Sequence, residues 1–221
     1  MRPELVVTED PAGAAAERLA AASGHVVITG GSTPRKAYER TAELRAEWSG
    51  VDLWFSDERC VPPDHEHSNY GMAKAALLDR IHGATVHRIE GELGPQAGAD
   101  AYEEELRAAG VERMDLVLIG LGPDAHTCSL FPGDGALAER ERLAVGVETP
   151  GMPPLVPRVT LTLPVVNGAR SVMFLVTGED KAEAVARSFS GAPDPSAPGS
   201  LVEPESGPPI LIADAAAVAR L

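Results

Sequence analysis

LIGLGPDAHTCSLFP, residues 118–132, runs from an apolar segment directly into a glycine-containing turn that carries Asp124 and His126. The short apolar run is typical of a buried strand, and Gly120 and Gly122 permit a tight turn at its end. In an open α/β sheet, ligands bind at the carboxyl ends of the strands. The stretch therefore predicts a strand-end site, with His126 as the candidate for chemistry.

His126 has two interpretations. Imidazole changes its protonation near neutral pH, so a histidine at this edge of a sheet can take a proton from water as a general base. The alternative is a histidine that only caps or packs the turn. Asp124 two residues earlier and the position at a strand end support the catalytic interpretation.

Short β-branched runs alternate with alanine-rich stretches of helical length along the chain of 221 residues. This alternation predicts an α/β fold, with a mainly parallel sheet covered by helices on both faces, in one domain over residues 1–221. The predicted strands are 5–8, 25–29, 51–56, 85–89, 115–120, 143–147, 158–163, 171–177 and 209–213. The predicted helices are 11–22, 34–48, 68–81, 96–109, 179–190 and 214–219. Residues 191–208, rich in Pro, Gly and Ser, are expected to form a surface loop.

Composition narrows the possible partners. The formal net charge is −14 and Lys and Arg do not cluster, so no nucleic-acid partner is expected. No run approaches the ~20 apolar residues of a membrane helix, and residues 1–7 contain no apolar targeting run, so we expect a cytoplasmic protein without a membrane segment. Cys60 and Cys128 are expected to be reduced thiols. An anionic ligand requires cations concentrated at its site, because the overall field repels it.

A second strand end, ITGGSTPRKAYE at residues 28–39, is suited to an anion. Gly30 and Gly31 precede Ser32 and Thr33 at a helix start, where backbone N–H groups and hydroxyls can face a phosphate. The stretch lacks the lysine of a nucleotide P-loop and the three glycines of a dinucleotide fingerprint, which excludes both. It indicates a phosphate-binding loop; the alternative is a strand-to-helix turn with a Ser or Thr cap.

A third strand end, LWFSDERCVPPDHEHSNYG at residues 53–71, carries charge. The guanidinium of Arg59 can hold a phosphate or carboxylate through two parallel hydrogen bonds, with an acid orienting it. The alternative is an exposed charged turn. Arg158 and Lys181 each add one cation near a later strand or helix end, and together with Arg59 they can form a local positive patch.

The same stretch raises a metal site at His65 and His67, with Cys60 and Asp64 close by. Spacing of this kind has low specificity, and no CxxC or HExxH pattern supports it. We therefore expect loop histidines that face solvent, and no metal.

Five sequence blocks, in order, resemble those of the 6-phosphogluconolactonase family. They are GGSTP at 30–34, WFSDER at 54–59 with Ser68 and Asn69 following, LGPDAHTCSLFP at 121–132, RVTLTLPVVNGA at 158–169 and TGEDK at 177–181. The resemblance covers nearly the whole chain. It implies a modified Rossmann-like fold similar to those of glucosamine-6-phosphate deaminases and ribose-5-phosphate isomerases. It also implies hydrolysis of 6-phosphoglucono-1,5-lactone to 6-phosphogluconate in the oxidative pentose phosphate pathway, with no cofactor and no obligate protein partner.

The resemblance further implies roles for individual residues. His126 matches the histidine that activates water against the lactone carbonyl. The residues that match substrate-binding positions are Gly30, Gly31, Ser32 and Thr33 of the phosphate loop, its cationic partners Arg59 and Lys181, and Arg158 at the start of a later strand. Asp57 and Asp124 match acids of the family motifs, and we expect them to orient Arg59 and the turn of His126.

Ala125 departs from the family pattern, which usually has glycine between the aspartate and the histidine. In a left-handed conformation alanine costs about 1–2 kcal/mol, enough to shift His126. Two alternatives stay open. One is an aminosugar phosphate deaminase-isomerase, although that family usually has tyrosine where Arg59 stands and continues differently after the histidine. The other is a non-catalytic sugar-phosphate sensor, which Ala125 makes conceivable.

Overall fold

Seven parallel strands form the centre of the protein, which a computed structural model describes over residues 2–221. The strands of both sheets within these residues are β1 Glu4–Val7, β2 Gly24–Ile28, β3 Val51–Phe55, β4 Asp57–Arg59, β5 Thr85–His87, β6 Leu116–Ile119, β7 Ala144–Val147, β8 Arg158–Leu161, β9 Val172–Val176 and β10 Ile210–Ala213. The α-helices are α1 Pro11–Ala20, α2 Ser32–Leu44, α3 Asn69–Ala76, α4 Pro95–Ala108, α5 Leu163–Asn167 and α6 Ala182–Phe189.

The strand order in the central sheet is β1-β10-β9-β6-β2-β3-β5, and every neighbouring pair is parallel. From β2 the chain moves outward through β3 to β5, whereas from β6 it moves the opposite way through β9 to β10. Because parallel crossovers are right-handed, the two directions place helices on opposite faces of the sheet. The predicted fold class is confirmed, and the direction changes between β2 and β6, where such sheets bind ligands.

The central strands are apolar along their whole length because both faces of the sheet are covered. All residues of β6 and β9 are buried, and Trp54 and Phe55 of β3 are almost completely inaccessible. The Tyr102 hydroxyl of α4 donates to the Phe55 carbonyl at 2.9 Å and accepts from the Phe55 amide at 2.8 Å. These contacts fix the end of β3, from which the chain enters the candidate site.

A second, antiparallel sheet has the order β4-β8-β7 and was not expected. Only Ser56 separates β4 from β3, so the chain passes from one sheet directly into the other. The register pairs Asp57 with Thr160 and Arg59 with Arg158. Asp57 and Glu58 are 6% and 3% exposed, so the alternative of an exposed charged turn is wrong. Cross-strand pairing with a segment a hundred residues away overrides the local polarity of the Asp-Glu-Arg sequence.

All nine predicted strands are present, but two other element predictions are wrong. Residues 215–220 form turns instead of the predicted helix 214–219. The Asp214 carboxylate accepts the amides of Gly178 and Ala217, which favours a local turn over a short helix that is costly to nucleate. The strand predicted at 158–163 ends at Leu161, and the unpredicted helix α5 follows it.

The predicted surface loop, residues 191–208, is partly buried. Its centre forms a 3-10 helix, Pro198–Leu201, in which Pro198, Gly199 and Ser200 are buried. The Gly199 amide donates to the Ala125 carbonyl at 2.8 Å, so the segment supports the His126 turn. Both cysteines are free. No helix within residues 2–221 has the length and apolar character needed to cross a membrane.

Candidate active site

An open cleft of about 300 Å³ lies at the carboxyl edge of the sheet, where β6 and β2 meet. Seven of the ten predicted site residues line it: Gly30, Gly31, Asp57, Arg59, His126, Arg158 and Lys181. Ser32, Thr33 and Asp124 lie immediately beside lining residues but are not part of the wall itself. The topology therefore brings together segments that are about 150 residues apart in the chain.

His126 is oriented by Asp124. Its Nδ1 lies 2.5 Å from Asp124 Oδ1, and its backbone amide donates to the same oxygen at 3.1 Å. Because an ionised carboxylate only accepts hydrogen bonds, Nδ1 carries the proton and Nε2 is the basic nitrogen. Burial raises the pKa of Asp124, but the hydrogen bond and the charge of His126 outweigh it, so that pKa lies below its ordinary value. A carboxylate at Nδ1 can stabilise an imidazolium if Nε2 takes a proton.

The backbone around His126 forms a closed turn. The Gly122 amide donates to the His126 carbonyl at 2.8 Å, and the Ala125 amide donates to the Gly122 carbonyl at 2.9 Å. Ala125 has φ of +69°. This is the left-handed conformation, which costs alanine more than the glycine that the family usually has at this position. A Cβ on Gly122 would overlap the imidazole of His126 and the carboxylate of Asp124, so only glycine fits there. The turn is built around the ring, and alanine at 125 is accommodated in it.

The phosphate loop leads into the N-terminus of α2. Gly31, the residue before the helix, has φ of +116°, which favours glycine. The amides of Ser32 and Thr33 precede any carbonyl partner in α2, so they present partial positive charge to an anion. The Thr33 hydroxyl lies 2.8 Å from the Thr177 hydroxyl, which joins the helix start to the end of β9. Lys181, four residues later, lines the cleft and adds a full positive charge.

Arg59 and Arg158 lie directly opposite each other on β4 and β8. Arg158 is 4% exposed, and its guanidinium donates to the carbonyls of Val156 at 3.0 Å and Pro154 at 2.8 Å. Arg59 Nη1 donates to the His67 carbonyl at 2.5 Å, and its buried Nε has no partner. Burial and then the charge of Arg59 lower the pKa of Arg158. The expectation that an acid orients Arg59 is wrong: a backbone carbonyl holds it.

Asp57 does not orient Arg59. Its two carboxylate oxygens accept from the hydroxyls of Ser56 and Ser129, each at 2.7 Å, and Asn69 Nδ2 donates to its backbone carbonyl at 2.9 Å. Ser129 comes three residues after His126, so Asp57 ties β4 to the segment that leaves the histidine turn. The chain turns into β4 at Ser56, and the Asp57 carboxylate reaches Ser129.

Sequence reasoning gave Glu58 and Asn69 no individual role. The Glu58 carboxylate accepts from the Ser68 hydroxyl at 3.0 Å and from the amides of Asn69 and Tyr70 at 2.7 Å, which stabilises the start of α3. Burial raises the pKa of Glu58 despite these donors. Asn69 lines the cleft and packs against Gly30, where any Cβ would overlap its amide. Ser68, a residue type favoured at N-caps, was the sequence feature that indicated the start of α3.

His65 and His67 contact each other in the loop that follows β4. The His67 amide donates to His65 Nδ1 at 3.1 Å, and the two rings lie 5.1 Å apart. Across residues 2–221 no group of three or more His, Cys, Asp or Glu side chains is arranged to hold a metal ion. Burial, with nearby Glu148 and Glu58, raises the pKa of the Cys60 thiol to about 11, which makes it a poor ligand at neutral pH.

Known proteins of one family resemble this chain over most of its length. A family model described as glucosamine-6-phosphate isomerases/6-phosphogluconolactonase matches residues 7–211. A 6-phosphogluconolactonase from Nostoc sp. is 38% identical over 206 residues, covering 89% of this chain and 84% of the relative. The Homo sapiens 6-phosphogluconolactonase is 42% identical over 183 residues, covering 80% of this chain and 69% of the relative.

A solved structure of 6-phosphogluconolactonase from Trypanosoma cruzi aligns over 100% of this chain and 97% of that one, with a TM-score of 0.83 and 29% sequence identity. The family match and the relatives each cover most of the chain. The chain therefore belongs to the family of glucosamine-6-phosphate isomerases and 6-phosphogluconolactonases.

Proposed function

We propose that this protein hydrolyses 6-phosphoglucono-1,5-lactone to 6-phosphogluconate, with His126 as the general base. One observation carries the proposal: the histidine oriented by Asp124 shares a cleft with a helix N-terminus and with Lys181. The first feature suits the activation of water and the second suits a phosphate group. The curated relatives support an enzyme of the 6-phosphogluconolactonase kind.

In the proposed reaction, Nε2 of His126 takes a proton from a water molecule as its oxygen bonds to C1 of the lactone. The carbonyl electron pair moves onto oxygen and forms a tetrahedral oxyanion. When the carbonyl re-forms, the bond between C1 and the ring oxygen breaks, and the ring oxygen leaves as the C5 hydroxyl with a proton returned by the imidazolium. Asp124 stabilises the imidazolium between the two transfers. The carboxylic acid then ionises to the carboxylate.

The phosphate positions the lactone for this attack. Gly30, Gly31, Ser32 and Thr33 supply amides and hydroxyls at the start of α2, and Lys181 supplies charge. Binding energy at the phosphate, remote from the ester, is used to hold C1 next to the water. The cations are needed locally because the formal net charge of −14 repels an anionic sugar at long range.

The test is direct. The lactone is generated in situ by a dehydrogenase acting on glucose 6-phosphate, and its disappearance is followed with and without the protein. We expect disappearance well above the spontaneous rate and no effect of a chelator. Loss at the spontaneous rate despite binding of 6-phosphogluconate would instead identify a sensor. Release of ammonia from glucosamine 6-phosphate would identify a deaminase, and sensitivity to chelator would restore a metal at His65 and His67.

A further inference from the structure

We infer that Phe131 is a positioning residue for His126, because its ring packs against the imidazole. The inference rests on the proposed function, since it concerns how the proposed base is held. Phe131 belongs to the block LGPDAHTCSLFP, in which only Asp124 and His126 had predicted roles. Its packing extends the support of the imidazole from Asp124 to the residues that follow the histidine.

The contact between the two rings is close. Their centroids lie 4.6 Å apart and their planes are tilted by 41°, which is within the range of packed ring pairs. Phe131 is 3% exposed and lines the cleft beside His126. Asp124 Oδ1 lies 2.5 Å from Nδ1 of the same imidazole, and a Cβ on Gly122 would overlap it. Three neighbours therefore restrict the imidazole: Gly122, Asp124 and Phe131.

A tight turn after the histidine brings Phe131 back to His126. The Leu130 amide donates to the Thr127 carbonyl at 2.9 Å, so residues 127–130 reverse the chain direction. Cys128, inside this turn, has φ of +51°. A residue other than glycine is uncommon in this left-handed conformation and persists where the surrounding structure fixes it.

Two side chains of this turn fix it to the rest of the fold. The Thr127 hydroxyl donates to the carbonyl of Gly120 at the end of β6, at 2.9 Å. The Ser129 hydroxyl donates to the buried carboxylate of Asp57 on β4, at 2.7 Å. Because both sheets anchor the turn, the position of Phe131 is set before any ligand arrives.

The segment that precedes β8 also packs against Phe131. A Cβ on Gly151 would lie 3.2 Å from Cδ1 and 3.4 Å from Cβ of Phe131, so glycine allows the backbone to approach closely. The Pro154 carbonyl of the same segment accepts from Arg158 at 2.8 Å, which holds the segment in place. Phe131 is thus confined between the Gly151 backbone and the imidazole.

These contacts matter for the proposed base because one hydrogen bond does not fix a ring. The bond from Nδ1 to Asp124 holds one atom of the imidazole, and the ring can still turn about that atom. Packing against Phe131 opposes this rotation and keeps Nε2 at one place in the cleft. A catalytic group depends on such supporting packing for its precision, and a displacement of about 1 Å can cost about 100-fold in rate.

A double-mutant cycle tests the inference. Steady-state kinetics with in situ lactone gives kcat and KM of the wild-type protein, Phe131→Leu, His126→Ala and the double variant. We expect Phe131→Leu to lower kcat about 10-fold or more and to change KM less than about 3-fold. In the His126→Ala background the same substitution should lower kcat less than about 2-fold, because a residue that acts through His126 has no effect without it.

Phe189→Leu is the matched control. Phe189 on α6 is 4% exposed and packs edge-to-face on Phe174, with ring centroids 5.1 Å apart, so the substitution removes the same atoms from the core away from His126. We expect both leucine variants to lower Tm, and only Phe131→Leu to lower kcat. Equal falls in kcat for the two variants would overturn the inference, because they would reflect a general loosening of the fold.

Two results with Phe131→Leu would overturn the inference directly: an unchanged kcat in the folded variant, or an equal fall in kcat with and without His126. If Phe131→Leu does not fold, Gly151→Ala replaces it, because Gly151 is exposed and the added Cβ presses on the Phe131 ring. We expect Gly151→Ala to lower kcat about 2-fold or more only when His126 is present, and an unchanged kcat would then overturn the inference. Lactone loss at the spontaneous rate with the wild-type protein would overturn the proposed function itself.

Discussion

The His126 turn and the pair Arg59 and Arg158 line the same cleft but are positioned in different ways. The turn closes on itself within residues 122–126, through hydrogen bonds between neighbours and a glycine that leaves room for the imidazole. Arg59 and Arg158 come together only because β4 pairs with β8, about a hundred residues later in the chain. Most of the hydrogen bonds that shape the His126 turn therefore lie within a short motif, whereas the pairing of Arg59 with Arg158 depends on the completed fold.

Removing the imidazole of His126 should have the largest effect on activity, because it takes away the proposed base from the turn that holds it. We expect His126→Ala to lower kcat by about 100-fold or more, the lower bound for general-base assistance, with KM little changed. Steady-state kinetics with in situ lactone measures both constants. A near-normal kcat would remove His126 from the mechanism.

Removing Lys181, the proposed phosphate-binding cation, should mainly raise KM. We expect Lys181→Met to raise KM by about 10-fold or more, because a partly buried charge-assisted contact is lost, and to lower kcat less than His126→Ala does. Arg18→Met serves as the control for net charge, because Arg18 is exposed on α1, pairs with Glu4, and its loss changes the net charge equally. The separation of roles is contradicted if Lys181→Met lowers kcat while KM stays unchanged.

Low pH should destabilise the His126 turn, because it protonates the Asp124 carboxylate. The pKa of Asp124 is lowered in the folded state, so its ionised form contributes stability above its unfolded pKa of about 3.9, and that contribution is lost as pH falls through the folded value. We therefore expect the wild-type protein to exceed Asp124→Asn in Tm at pH 6 and the difference to shrink below pH 4. Thermal unfolding of both proteins measures it. A difference independent of pH would show that the charge of Asp124 does not support the turn.

Ala125 should give the smallest effect. Ala125→Gly relieves about 1–2 kcal/mol of left-handed strain but loses a buried methyl worth about 0.8 kcal/mol and adds chain entropy of about 0.4–1 kcal/mol to the unfolded state. We expect the free energy of unfolding to change by less than about 1 kcal/mol. Ala125→Val, β-branched at positive φ, should destabilise clearly. Denaturant unfolding of the two variants measures both changes. A large increase in the free energy of unfolding of Ala125→Gly would mean that alanine distorts the turn.

The sequence predicted the features that depend on local residue patterns, namely the strands and the glycine turns at their ends. Apolar runs located all nine predicted strands, and the glycines around His126 and before Ser32 marked two strand ends that meet at the cleft. These features follow from burial and from backbone freedom, which act over a few residues.

The sequence could not predict the contacts that depend on pairing between distant segments of the chain. Nothing local shows that Asp57 would bond Ser129, or that a backbone carbonyl would hold Arg59. The buried centre of residues 191–208 was hidden by its polar, proline-rich composition, although Gly199 supports Ala125. Such contacts are set by the register of β4 with β8 and by the return of distant loops to the carboxyl edge.

Rescue of the His126→Ala variant by free imidazole tests the general-base assignment most directly. Alanine leaves space for imidazole beside Asp124, whereas phenylalanine in His126→Phe fills it and serves as the matched control for catalysis by imidazole in solution. We expect kcat of His126→Ala to rise with imidazole concentration while that of His126→Phe does not. Equal stimulation of both variants, or a near-wild-type kcat of His126→Ala without imidazole, would contradict the assignment.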